Sequence, residues 1–150
     1  MNKWDKHYFQ LAKSIAQWSK DPSSKIGAVV IGKHGQIESQ GYNGFPRNIF
    51  DTNERLDNQA IKNKYMIHAE LNCVFNACLN GISLKNSTMY IYGGFPCAEC
   101  AKAIVQAGIT KVNALQLATK PNWQESQAFA EELFIEAKIE YTKYKEELWI

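Results

Sequence analysis

The sequence predicts an α/β fold in which one sheet is covered by helices on both faces. Runs suited to strands alternate along the chain with runs suited to helices, which is the pattern of that architecture. Residues 26–31 (IGAVVI) are apolar almost throughout, as expected for a strand with both faces buried. No linker, repeat or low-complexity tract interrupts the 150 residues, so a single domain spanning 1–150 is predicted.

The N-terminal third is predicted to contain a helix, a hairpin and a long loop. After the strand at 26–31, a tight turn over 33–36 leads into a paired strand over 36–42. Residues 43–58 show no clear period, and long loops in compact domains are usually functional. The first helix carries apolar side chains at gaps of three and four, which predict its buried face: Trp4, Tyr8, Leu11, Ile15 and Trp18.

The remaining elements follow in alternation. One helix should begin near 61, or restart near 68, and end at Gly81, where a glycine cap belongs. A second helix should begin at Pro96, since proline is favoured in the first turn, and end at Gly108. A third, over 123–137, should bury Phe129, Leu133 and Phe134. Strands are predicted over 88–92, 111–117 and 139–144.

Charge and composition narrow the class of protein. The net charge is +2, too small to indicate a nucleic-acid partner, and 45% of the residues are apolar. The N-terminal segment lacks the apolar run of a signal peptide, and no stretch approaches about 18 consecutive apolar residues. A cytoplasmic location without membrane association is therefore expected. In a reducing compartment the four cysteines should be thiols or metal ligands.

Two short segments predict a metal centre. Cys97 and Cys100 are three residues apart at a predicted helix start, so both sulfurs project from one turn, where the helix dipole favours thiolates. His68, at another helix start, supplies an imidazole. One imidazole and two thiolates suit Zn²⁺, and three protein ligands leave a fourth position for water, as catalysis requires.

Glu70 is predicted to be the catalytic residue. It follows His68 by two residues and can reach a zinc-coordinated water without being a ligand. Zinc lowers the pKa of that water, and the carboxylate can then accept its proton. A lone C-x-x-C is often structural or redox-active, and a lone H-x-E is almost uninformative, but together with Pro96 they form the H-x-E…P-C-x-x-C pattern of zinc nucleobase deaminases.

The other cysteines and histidines have plainer interpretations. Cys73 and Cys78 are five apart on a helix, so their side chains diverge, and both are predicted to be buried thiols. His7 and His34 are expected to be surface or internally satisfied histidines. Glu99, between the two ligand cysteines, is expected to face solvent.

From residue 21 to about 144 the chain resembles the deoxycytidylate deaminases. The matching segments are DPSSKIGA (21–28), GYNGFP (41–46), HAELN (68–72) and FPCAECAK (95–102). The resemblance implies a cytidine-deaminase-like three-layer α/β/α sandwich with a five-stranded mixed sheet, commonly a homohexamer. It implies deamination of dCMP to dUMP, which supplies thymidylate synthesis. Some members carry a second, structural zinc, but residues 20–60 offer only His34 as a soft ligand, so one catalytic zinc per chain is predicted.

The resemblance also implies substrate contacts. Asn43 should contact the nucleotide, Ala69 should lie against the pyrimidine through its backbone, and Ile26 should pack on the base. The two arginines of the chain, Arg47 and Arg55, fall in the irregular loop and are candidates for the phosphate, since guanidinium binds phosphate in a bidentate manner. Solvated loop charge is the alternative for both. Weaker candidates are Lys25, Lys62 and Lys64, and Tyr65, which either stacks near the ligand or belongs to the core.

One departure bears on regulation. Related enzymes are often activated by dCTP and inhibited by dTTP through a segment that continues Pro-x-Gly, whereas this chain has Pro46-Arg47-Asn48. Asn tolerates a left-handed backbone better than most residues, so the turn can be kept.

Three rival functions remain. The substrate could be another cytosine nucleotide, namely dCTP or a 5-modified dCMP. It could be a tRNA base, although the small net charge and the GYNGFP segment speak against that. A non-catalytic zinc or nucleotide-binding regulator is the third, and the presence of Glu70 argues against it.

Overall fold

The computed structural model describes residues 1–146, and the predicted domain's residues 147–150 lie outside that part. Its elements, in chain order, are α1 (Lys3–Ala16), β1 (Gly27–Ile31), β2 (Ile37–Tyr42), α2 (Asn53–Asp57), α3 (Gln59–Tyr65), α4 (Ala69–Asn80), β3 (Thr88–Tyr92), α5 (Ala98–Gln106), β4 (Lys111–Gln116), a 3₁₀ turn (Pro121–Trp123), α6 (Gln124–Glu136) and β5 (Glu140–Lys145).

The five strands form one mixed sheet in the order β2-β1-β3-β4-β5. β1 pairs antiparallel with both β2 and β3. The β1–β2 pairing follows from the tight turn at Gly35 that joins these two strands. The pairs β3–β4 and β4–β5 are parallel, and α5 and α6 provide the crossovers that parallel pairing requires. The predicted five-stranded mixed sheet is confirmed.

Helices cover both faces of the sheet, which makes three layers. On one face, α1 packs Phe9 and Ile15 against Val29 and Ile31 of β1. The other face carries α4, α5 and α6 and forms the larger core, which includes these sheet residues: Ala28, Val30, Met89, Ile91, Val112 and Ala114. Side chains of β1 therefore alternate between two buried layers, as the apolar run predicted.

The predicted face of the first helix is partly wrong. Trp4 and Trp18 are 63% and 60% exposed, whereas Phe9, Ala12 and Ala16 are fully buried. α1 approaches β1 closely where Gly27 has no side chain: a Cβ on Gly27 would lie 2.1 Å from the Ala12 carbonyl oxygen. The two tryptophans expected on the buried face are therefore exposed, and the face that meets the sheet carries Phe9 and Ile15 together with small alanines.

Several other expectations need correction. The long loop contains the short helix α2. Of the two alternatives for the segment that follows, the restart near 68 is confirmed, since α3 and α4 are separate helices. α5 begins at Ala98 rather than Pro96, with Cys97 as its N-cap. Phe129 of α6 is 49% exposed, while Phe134 is buried.

The cysteines of α4 differ in exposure. Cys73 is buried, but Cys78 is exposed, so the expectation of two buried thiols is wrong for Cys78. A separation of five residues places the two side chains on different sides of the helix, and only one side faces the sheet.

Among the described residues, no helix is both long and apolar enough to span a bilayer.

Candidate active site

Three side chains from two helix starts converge at one end of the larger core. His68 is the N-cap residue of α4, Cys97 is the N-cap residue of α5, and Cys100 lies in the first turn of α5. Both sulfurs approach the same imidazole nitrogen: Cys97 Sγ lies 3.5 Å and Cys100 Sγ 3.4 Å from His68 Nδ1. Within residues 1–146 this is the one group of three or more His, Cys, Asp or Glu side chains able to hold a metal.

The donor set fits zinc. Imidazole nitrogen and thiolate sulfur are preferred ligands, and tetrahedral Zn–N and Zn–S bonds imply a nitrogen-to-sulfur separation of about 3.6 Å. The separations of 3.5 Å and 3.4 Å agree with that value. The group contains three ligands, so a fourth position is left for a non-protein ligand.

The three side chains share protons through the hydrogen bonds between them. Hydrogen bonding from the Cys100 thiol, followed by that from His68, lowers the pKa of Cys97 to about 4. The same bond to Cys97, together with burial, raises the pKa of Cys100. The hydrogen bond to Cys97 likewise raises the pKa of His68. Metal ligands must be deprotonated, so metal binding at this site should release protons.

Glu70 places a carboxyl group beside the cluster. It lies in the first turn of α4, is 5% exposed, and its Oε2 is 3.7 Å from Cys100 Sγ. Burial raises its pKa, because desolvation disfavours the charged form. A carboxyl group that holds a proton more readily than usual suits general acid–base work near neutral pH.

A cavity of about 260 Å³ opens onto this group. His68, Glu70 and Cys97 lie in its wall, with Phe95 and Trp123 beside them. A buried acid, a candidate metal centre and an enclosing apolar wall therefore meet in one pocket, as in many enzyme active sites.

Comparison with known proteins places the chain in a family. The model of the cytidine and deoxycytidylate deaminase zinc-binding region matches residues 2–116. A deoxycytidylate deaminase of Mus musculus is 36% identical over 149 residues, covering 94% of this chain and 79% of the mouse protein. An uncharacterised deaminase of Aliivibrio fischeri is 35% identical over 144 residues, covering 95% and 94% of the two chains.

The chain belongs to the cytidine and deoxycytidylate deaminase family. The crystal structure of a dCMP deaminase from the cyanophage S-TIM5 superposes with a TM-score of 0.73 at 24% identity, covering 95% of this chain and 99% of that one. At that identity the superposition shows a shared fold. The predicted cytidine-deaminase-like sandwich is confirmed.

Three of the predicted substrate residues of this deaminase line the cavity: Ile26, Asn43 and Ala69. Asn43 is buried, and its amide is engaged on both sides, since Oδ1 accepts from the Ile26 amide at 2.9 Å and Nδ2 donates to the Ser24 carbonyl at 2.8 Å. Its side chain thereby holds residues 24–26 in the cavity wall.

The other three predicted substrate residues, Arg47, Arg55 and Tyr65, are absent from the described cavity wall. Arg47 is exposed and donates to Asn76 Oδ1 of α4. Arg55 donates to the Phe50 carbonyl, and its guanidinium lies 4.7 Å from the ring centroid of Tyr65. In the isolated chain, both arginine side chains therefore contact other residues of the same chain outside the cavity.

A buried ion pair in the cavity wall was underrated by sequence reasoning. Lys62 of α3 is 3% exposed, and its Nζ lies 2.9 Å from Asp21 Oδ1 and 3.2 Å from Ser23 Oγ. Asp21 Oδ1 also accepts from the Ser23 and Ser24 amides. In the sequence, Lys62 looks no different from the other candidate lysines, Lys25 and Lys64. Its contact with Asp21 spans 41 residues, so no local pattern distinguishes it.

Two smaller expectations are confirmed. Asn48 adopts a φ of 66°, the left-handed conformation expected where related enzymes have glycine. Glu99 faces solvent and pairs with Lys102 at 2.6 Å.

Proposed function

We propose that this deaminase hydrolyses the exocyclic amino group of dCMP, producing dUMP and ammonia, with one zinc ion held by His68, Cys97 and Cys100. The observation that carries the proposal is the buried Glu70 carboxyl, which lies 3.7 Å from Cys100 Sγ and in the same cavity wall as His68 and Cys97. The relatives in mouse and human are deoxycytidylate deaminases, and the cyanophage enzyme was also crystallised with dCMP and dUMP.

Glu70 moves the protons in the proposed reaction. When bound, zinc supplies water of lowered pKa and so provides hydroxide near neutral pH. Glu70 accepts the proton of that water and delivers it to ring N3 while the hydroxide oxygen forms a bond to C4. Glu70 then takes the proton of the new C4 hydroxyl and gives it to N4. The C4–N4 bond breaks as the C4 carbonyl forms, and the nitrogen leaves as ammonia. Its raised pKa suits both directions of transfer.

The cavity wall suggests how the nucleotide is held. Ile26 and Ala69 would contact the base, and Asn43 would contact the sugar while it supports the wall. Lys62 and Lys120 are the lysines of the described cavity wall, and both are candidates for the phosphate. Arg47 and Arg55 stay predicted phosphate ligands. To reach the phosphate, they would need either a rearrangement of their loop or the cavity of a neighbouring chain.

A nucleotide panel tests the proposal. Purified protein loaded with zinc is incubated with dCMP, dCTP, a 5-methylated dCMP, cytidine and a tRNA anticodon stem-loop, and ammonia release is measured. We expect the highest kcat/KM for dCMP. Turnover of cytidine equal to that of dCMP would show that the enzyme does not recognise the phosphate. A preference for the RNA would show that the substrate is a tRNA base and not dCMP.

Regulation and assembly form a second part of the proposal. The protein is proposed to be a cytoplasmic homohexamer, activated by dCTP and inhibited by dTTP near residues 43–48, where Asn48 keeps the left-handed turn. Light scattering and dCMP kinetics with and without each effector test this. A monomer, or rates insensitive to both nucleotides, would contradict it.

A further inference from the structure

The helix that carries both cysteines, α5, begins at a predicted metal ligand, because Cys97 is its N-cap residue. An N-cap side chain ordinarily accepts a hydrogen bond from one of the first amides of the helix. Cys97 occupies that position in α5, where sulfur replaces the usual oxygen acceptor. That sulfur is shared between the Cys100 amide, whose hydrogen bond lowers the pKa of Cys97, and the group formed with His68 and Cys100.

Another helix provides a hydrogen-bond acceptor for the first amide of α5, since an N-cap side chain bonds to the second or third. The amide of Ala98, the first residue of α5, donates to Ser126 Oγ at 2.9 Å. Ser126 lies in the first turn of α6, 28 residues further along the chain. Its hydroxyl therefore satisfies an amide that immediately follows one ligand cysteine and precedes the other.

The same end of α6 contacts the other parts of the site. The ring of Trp123 packs edge-on against the imidazole of His68, with 5.5 Å between centroids and 73° between planes. Gln127 Nε2 donates to the Phe95 carbonyl at 3.2 Å, in the loop that leads to Cys97. Residues at the start of α6 thus touch the imidazole ligand, the cysteine helix and the loop before that helix.

We propose that Ser126 is a positioning residue for the metal site, which holds the first turn of α5 so that Cys97 and Cys100 stay facing His68. The inference rests on the proposed zinc site. Without the hydroxyl, the first turn of α5 frays in the metal-free protein, and metal binding must reorder it. Loss of one typical neutral hydrogen bond should then weaken zinc binding about fivefold.

An isosteric pair of variants tests this role. Ser126→Thr keeps the hydroxyl and Ser126→Val removes it, while both carry the same β-branched shape. Ser14→Ala is the control, because Ser14 is an exposed helical serine of α1 that bonds only back to Gln10 within its own helix. Zinc affinity is measured by competition with a chromophoric chelator, and the thiolate-to-cobalt absorption of the Co²⁺-substituted protein reports ligand geometry.

We expect S126V to bind zinc about fivefold more weakly and to change the cobalt spectrum, with S126T and S14A close to the unmodified protein. Equal zinc affinity and equal spectra for S126V and S126T would overturn the inference and leave the proposed function intact. Failure of the unmodified protein to bind zinc would instead reject the proposed function. If circular dichroism shows that S126V does not fold, S126A takes its place in the same comparison.

Discussion

Glu70 and Glu99 show how position alone separates two identical side chains. Both lie in the first turn of a helix near the proposed zinc ligands. Glu70 is 5% exposed and has a raised pKa, because burial disfavours its charged form. The Glu99 side chain is 76% exposed and pairs with Lys102. Only the buried carboxyl group shares a cavity with the candidate metal ligands.

Replacement of Glu70 tests its assignment as the proton carrier. Glu70→Gln keeps the shape of the side chain but cannot accept a proton, so dCMP turnover should fall by at least about 10²–10⁴. Zinc content should be unchanged, since Glu70 is outside the ligand group. Glu99→Gln is the matched control and should retain turnover. Ammonia release and zinc per chain are measured for both, and near-normal turnover in E70Q would refute the assignment.

Gly41 of β2 allows α4 to pack closely on the sheet. A Cβ on Gly41 of β2 would lie 2.5 Å from the Cys73 amide nitrogen and 2.7 Å from the Ala69 carbonyl oxygen. Ser39 Oγ of the same strand donates to the Cys73 carbonyl at 2.6 Å. The absence of a side chain at Gly41 therefore lets the helix that carries Glu70 lie directly on β2.

Gly41→Ala should push α4 away from β2. The free energy of unfolding should fall by about 2 kcal/mol, a typical cost of overpacking, and dCMP turnover should fall with it because the site is displaced. Gly44→Ala is the control, since its Cβ would meet only the Tyr42 ring at 3.4 Å. Urea denaturation measures both variants. Equal stability of the two would show that α4 accommodates the extra methyl group.

Parts of the chain far apart in sequence are joined by the buried pair of Lys62 and Asp21. Their side chains are 4% and 7% exposed, and the pair links α3 to the segment that precedes β1. Asp21 also accepts from Asn43 Nδ2, at 3.4 Å. The pair thus connects α3 with both the 21–26 segment and the end of β2 at the wall of the cavity.

Replacing Lys62 alone should lower the free energy of unfolding more than replacing Lys62 and Asp21 together. Lys62→Met leaves the Asp21 carboxylate buried without its cation and should lower the free energy of unfolding by about 3 kcal/mol. The double variant D21N/K62M should recover part of that loss. Lys20→Met is the control, since Lys20 and Asp51 form an exposed pair whose loss should cost below about 1 kcal/mol. The free energy of unfolding of the three variants is measured by urea denaturation. An equal loss of stability in K62M and K20M would contradict the expectation.

Packing decided which apolar side chains are buried, and local pattern predicted this only in part. The period of α1 was visible, but small Ala12 and Ala16 face the sheet while the larger Trp4 is 63% exposed. Phe129 of α6, which was expected to be buried, is likewise 49% exposed. A helical period shows that a helix has an apolar side, whereas the distance to the neighbouring layer determines which side chains fit there.

The proposed catalytic centre could be predicted from local spacing. His68 and Glu70 are two apart and Cys97 and Cys100 three apart, so each pair is oriented by its own helix start, whatever surrounds it. The contact of Lys62 with Asp21 and that of Ser126 with the cysteine helix join residues 41 and 28 positions apart. Such contacts depend on how whole elements pack on the sheet, which no short-range pattern records, so they became visible only in the folded chain.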